Sequence, residues 1–160
     1  CLILTMLKQI DNWLPKDLIE YLDEYFLYEF PHFYGHKSAA KTTSEFYNSN
    51  LNPHDGLNKY LYTKLLKTLD NKVEILRAYI NIQHPGMEGV FHWDDGDVTC
   101  LYMVTKTLKK GGYFEIKGEK KIPFVQGRLI CFDAKKLHKG HAPINKGDVR
   151  ISLVFKTKYA

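Results

Sequence analysis

The chain has 160 residues, of which 44% are hydrophobic, 14% aromatic and 26% charged, enough for one globular domain with a core and far from disordered, collagen-like or low-complexity sequence. Its formal charge of +5 is unevenly placed, with 9 basic and 14 acidic side chains in residues 1–100 against 14 and 4 in residues 101–160. That cationic last third suits a small carboxylate, a nucleic acid or an acidic protein as partner, or is simply a solvated lysine face.

No apolar run approaches the roughly 18 residues of a membrane span, and the opening CLILTML lacks the basic flank and small-residue cleavage site of a secretory signal. Cys1, Cys100 and Cys131 form no C-x-x-C, and the last two sit inside apolar runs. Reduced, buried thiols in a soluble cytoplasmic protein are the expectation.

In chain order, Pro15 to Phe30 predicts a helix, with proline in its first turn, acids close behind and Leu18, Leu22, Tyr25 and Phe26 at helical spacing. Pro31 to Pro53 has no clean period and predicts an ordered loop with at most a short strand. A second helix is expected over Asp55 to Leu69, where Leu57, Leu61, Leu65 and Leu69 stack at four-residue steps. From Val73 the texture changes to short β-branched and aromatic runs: VEILRAYINIQ, GVFHW, VTCLYMVT, GGYFEIKG, RLICFDA and VRISLVFK. They are broken by HPGMEG, DDGD, KKGG, KGEKK and NKGD. Helices followed by strands at short spacing predict one mainly-β domain over residues 1–160, with helical support to about residue 72 and a sandwich or barrel from about residue 73.

Three groups could carry chemistry. In an extended segment His92 and Asp94 of His92-Trp93-Asp94 point to the same side and can converge on one metal ion, with Trp93 facing away. The strand LICFDA is followed by His138 and His141, and a histidine there can complete two imidazoles and one carboxylate, a set that leaves coordination positions open and points to non-haem Fe(II). Arg150 stands in an apolar strand with Ser152 on its face, a fork suited to a carboxylate. Gly111-Gly112 reads as a plain turn, and His32, His36 and His54 as loop residues.

The blocks GVFHWDDGDVTCLYMV, GGYFEI, IPFVQGRLICFDAKKLHKGHAP and RISLVFK, in this order, resemble the 2-oxoglutarate- and Fe(II)-dependent dioxygenases, specifically their prolyl 4-hydroxylase-like branch, over about Val73 to Lys156. The resemblance implies a double-stranded β-helix, a jelly-roll or cupin-like barrel, supported by amino-terminal helices. It implies His92, Asp94 and His138 as iron ligands, with His141 the alternative ligand. Arg150, helped by Ser152, would clamp the distal carboxylate of 2-oxoglutarate, with Asn81, Tyr79 and Thr99 lining the co-substrate pocket. Oxygen would be consumed, with ascorbate in support, to hydroxylate an unactivated C–H bond and release succinate and CO2.

Two departures change the polar lining: His84-Pro85-Gly86 stands where relatives have YPG, and Tyr102-Met103 where they have a second tyrosine. The implied substrate is a prolyl residue of a protein or peptide, or alternatively a free amino acid or other small molecule. A barrel that binds metal without turnover is the rival. Nucleic acid is disfavoured, because the basic third lacks interleaved aromatics and no second inward arginine follows Arg150, only Lys156. The 31–53 loop is expected to cover the barrel mouth and to influence substrate choice.

Overall fold

The computed structural model describes residues 7–39 and 44–160, so Cys1 lies outside the described residues. Strand β1 (Lys8–Ile10) leads into helix α1 (Lys16–Glu24), with Pro15 as its N-cap. The helix runs on as a π-helical turn over Tyr25–Glu29 and stops at Phe30, which is extended (φ −84°, ψ 134°). The residue before a proline is pushed out of the helical region, and Pro31 follows. Helix α2 (Gly56–Thr68) starts at an extended Asp55 and ends where Asp70 and Asn71 take positive φ. Its Leu61 and Leu65 are fully buried, each contributing roughly 1.5–3 kcal/mol from burial.

Between the helices the chain forms β2 (Phe33–His36) and β3 (Phe46–Asn50). The strands that follow are β4 (Val73–Gln83), β5 (Val98–Met103), β6 (Phe114–Ile116), β7 (Lys121–Ile122), β8 (Leu129–Asp133), β9 (His138–Gly140) and β10 (Arg150–Tyr159). They make a seven-stranded antiparallel sheet in the order β1-β8-β5-β10-β4-β3-β2 and a three-stranded sheet β7-β6-β9.

Side-chain alternation divides the large sheet. Ala78, Ile80 and Ile82 of β4, Cys100 and Tyr102 of β5, and Ile151, Leu153 and Phe155 of β10 pack in one core with α1 and α2. The opposite parity, including Leu101, Met103, Ile130, Phe132 and Val154, packs against Phe114, Ile116 and Ile122 of the small sheet. The helices therefore buttress one face, and the polar inward positions of β4 and β10 line the interior between the sheets.

The structure differs from expectation in three places. Strands β2 and β3 pair antiparallel and extend the large sheet, and β1 also joins it, so the amino-terminal part supplies strands as well as helices. GVFHW is not a strand; only His92 pairs, opposite His138. His138 follows β8, as read from the sequence, and itself opens a further short strand, β9. Cys100 and Cys131 are buried, unbonded and directly opposed across β5 and β8. Among the described residues no helix is long and apolar enough to cross a membrane.

Candidate active site

Backbone pairing assembles the first cluster. His92 N–H donates to His138 O (3.0 Å) and His138 N–H to His92 O (2.9 Å), bringing the rings to a centroid separation of 4.5 Å. Asp94 N–H donates to Ala134 O at 2.8 Å, which ties the next turn to the end of β8. His92 Nε2 then lies 3.5 Å from Asp94 Oδ1, and His138 Nε2 3.2 Å from Asp94 Oδ2. One candidate ligand atom from each residue falls within 4.8 Å of the others.

Each imidazole Nδ1 is 2.8 Å from a backbone carbonyl, Val90 O for His92 and Lys136 O for His138. In a metal-loaded site, Nδ1–H donation to these carbonyls would leave each Nε2 lone pair free for the metal, the tautomer that coordination requires. Burial lowers the pKa of His92, against the pull of the Val90 carbonyl, and so favours the neutral ring. Burial works to raise Asp94, but the His138 ring and the Lys156 ammonium outweigh it and hold the carboxyl well below the usual carboxylate range. Thr99 Oγ1 donates to Asp94 Oδ2 at 2.7 Å, and Lys156 Nζ pairs with the same oxygen. Oδ2 is thus doubly held, which fixes the carboxylate plane.

The second cluster surrounds Arg150, which is 2% exposed. Its Nε donates to Gly112 O (3.0 Å), and its Nη1 to Gln83 Oε1 (2.7 Å) and Ser152 Oγ (2.7 Å). The Phe124 ring lies under the guanidinium, 5.3 Å from Cζ. Burial lowers its pKa to about 10, so it remains charged at neutral pH. Among the described residues Nη2 has no hydrogen-bond partner. A buried guanidinium donor without a partner is costly, and it is answered most simply by an anion.

Both clusters line one cavity of about 330 Å3, together with Tyr79 and Asn81 of β4. Asn81 Oδ1 accepts from Asn48 Nδ2 (2.7 Å), which locks the hairpin to the cavity wall. Burial pushes the Tyr79 phenol pKa far up, keeping its proton in place. Thr99 borders the same space, with its hydroxyl spent on Asp94.

His141 lies elsewhere: Nδ1 is 2.8 Å from Glu88 Oε1 and Nε2 2.6 Å from Glu115 Oε2, so both ring nitrogens are engaged outside the His–Asp–His group. His36 and Asn48, on the hairpin, border the cavity where the sequence suggested only a loop, and Trp93, 68% exposed, stands at its mouth. Gln83 and Lys156 were not assigned from sequence. Both fall on the inward parity, Gln83 two residues after Asn81 and Lys156 six after Arg150, and that parity is the signal that finds them.

No protein-family model matches the chain, and no curated protein matches it by sequence. Solved structures do match by shape. The collagen prolyl hydroxylase of Paramecium bursaria Chlorella virus-1, in a 2OG complex, shares 16% identity over 96% of each chain with a TM-score of 0.72. A Trichoplax adhaerens prolyl hydroxylase, bound to a peptide fragment of the hypoxia-inducible factor oxygen degradation domain, shares 12% over 97% of this chain and 84% of that one (TM-score 0.76). HygX from Streptomyces hygroscopicus, with nickel, 2-oxoglutarate and hygromycin B bound, shares 10% over 98% and 84% (TM-score 0.74). At these identities the likeness is one of fold, the double-stranded β-helix.

Proposed function

We propose that this chain is a 2-oxoglutarate- and Fe(II)-dependent oxygenase that hydroxylates an unactivated C–H bond. The observation that carries the reading is the pairing, in one cavity, of two imidazole Nε2 atoms and a carboxylate with a buried guanidinium whose Nη2 lacks a partner among the described residues. That donor set suits Fe(II), and the orphaned Nη2 suits a dicarboxylate. His92, Asp94 and His138 would hold the metal, and Arg150 the distal carboxylate of 2-oxoglutarate. When bound, the metal supplies oxygen activation coupled to decarboxylation of the keto acid to succinate and CO2.

The protein's own residues do the rest. The Val90 and Lys136 carbonyls hold the ligand tautomers, and Thr99 and Lys156 orient Asp94. Gln83, Ser152 and the Gly112 carbonyl aim Arg150 at its anion. Tyr79 and Asn81 border the co-substrate, while Phe114 and Phe132 line the cavity and exclude water beside it. For the substrate, the prolyl hydroxylases among the structural matches support a prolyl residue of a peptide or protein. The HygX complex with hygromycin B, and an amide-rich wall containing Asn48, Asn50 and Asn81, favour a small polar molecule as the second reading.

The test is succinate formation from 2-oxoglutarate with Fe(II), ascorbate and oxygen, comparing wild type with His138→Ala and Arg150→Ala. Wild-type succinate that both substitutions abolish is expected. A wild type that binds neither Fe(II) nor 2-oxoglutarate overturns the reading, and one that binds both yet makes no succinate with peptide, amino-acid and small-molecule panels is a barrel without turnover.

A further inference from the structure

Lys156 sits six residues beyond Arg150 on the same face of β10 and is 2% exposed, yet it borders the cavity. An ammonium has three N–H donors. Among the described residues its hydrogen-bonding partner is Asp94 Oδ2, the face of Tyr79 lies with its centroid 5.8 Å from Nζ, and the nearby charges are Asp95 and Arg77, which neutralise each other as a pair. Other cations along this wall are already matched: Arg77 makes two 2.8 Å hydrogen bonds to Asp95, and Lys37 pairs with Glu45 at 3.4 Å.

On the loading proposed above, on which this inference rests, the metal's two positive charges and Arg150 balance Asp94 and both carboxylates of the co-substrate. Lys156, although paired with Asp94, then leaves the loaded site one positive charge in excess and shielded from water, where such an excess is costly and an opposite charge strongly attracted. We infer that Lys156 selects a substrate carrying a carboxylate close to the C–H bond to be oxidised. A substrate without a negative charge would seal the ammonium in without a counter-charge, and a cationic one would be repelled. A lysine that served only to orient Asp94 would confer no preference for anions, and that preference is what the experiment reads.

The protein loaded with Co(II) and saturating 2-oxoglutarate is titrated with 13C-acetate and, separately, 13C-acetamide, two probes of the same shape and different charge, with relaxation by the Co(II) ion reporting occupancy. Acetate is expected to bind at least about tenfold more tightly than acetamide, Lys156→Met to erase that difference, and Lys156→Arg to keep it. Equal binding by wild type overturns the inference even if a variant fails to fold, and so does a preference that survives in a folded Lys156→Met.

Two competitors separate the sources of the carboxylate. Displacement of acetate by N-acetylglycine supports a main-chain carboxylate, as in a free amino acid or chain terminus. Displacement by an aspartate blocked at both backbone ends supports a side-chain carboxylate, and displacement by neither overturns the inference. The Co(II) visible spectrum distinguishes the levels of failure. If it does not respond to 2-oxoglutarate, the oxygenase reading falls and takes this inference with it; if it responds and acetate shows no preference, this inference alone falls.

Discussion

Replacing Gly140 with alanine tests how tightly Arg150, the proposed anion-binding residue, is held. A Cβ at Gly140 would stand 3.0 Å from Cζ, Nη1 and Nη2 of Arg150. The guanidinium cannot simply step aside, because Gly112 O, Gln83 and Ser152 hold it on three sides and Phe124 lies beneath. Relieving the contact needs a shift of a few tenths of an ångström in a group whose hydrogen bonds are 2.7–3.0 Å long. Overpacking of this kind costs roughly 1–3 kcal/mol. If that falls on the bound state, 2-oxoglutarate affinity drops by about 5- to 150-fold. Isothermal titration of 2-oxoglutarate into the Mn(II)-loaded protein measures it, with Mn(II) affinity as the control because the three atoms nearest the added methyl all belong to Arg150. Undiminished 2-oxoglutarate affinity at an undiminished Tm would refute the reasoning, since Arg150 would then tolerate displacement or not face the co-substrate.

Other perturbations separate structural from chemical roles. His141→Ala removes a ring that bridges Glu88 and Glu115, and because the site is partly open to solvent the loss of stability should be small. Calorimetry should show that loss with Fe(II) or Co(II) binding retained; loss of metal binding at unchanged Tm would make His141 a ligand. Asp23, on the inward face of α1, has its carboxyl pKa raised by burial, against the pull of Lys106 and Gln126. A folded-state value above the unfolded value of about 3.9 means that the ionised group opposes folding at neutral pH, and that this opposition fades as pH falls through the folded pKa. Asp23→Asn should therefore raise Tm at pH 7, with the advantage shrinking toward pH 4. An advantage independent of pH would contradict the assignment.

The long strands were legible because their period is long enough to express itself. β4 occupies Val73–Gln83, the run VEILRAYINIQ read from sequence, and its alternation places Tyr79 and Asn81 on the cavity side. The leucines of α2 were equally plain. β1, β7 and β9 were not, because two or three residues carry no measurable period and are fixed by their partners. That gap matters at the site: β9 contains His138 and ends at Gly140, so knowing the strand would have separated His138 from His141, which lies beyond it, at once. The hairpin of β2 and β3 was hidden by composition, since Phe33, Tyr34, Gly35 and His36 are all exposed and no apolar face marks them. Its contribution of His36 and Asn48 to the cavity follows from pairing with β4, a contact about 33 residues away in sequence that no local pattern encodes.

The two walls of the cavity differ in how easily they can open. Arg150, Ser152 and Lys156 ride on β10, which is bonded to β4 on one side and β5 on the other. Its amides should exchange with solvent only when the whole domain unfolds. The opposite wall ends at β2, bonded to β3 alone and exposed along its length, where opening costs far less. Amide exchange should therefore be slowest under the anion-binding residues and fastest at the hairpin. A substrate could then be admitted by movement at the sheet margin while the groups proposed to grip the co-substrate keep their spacing.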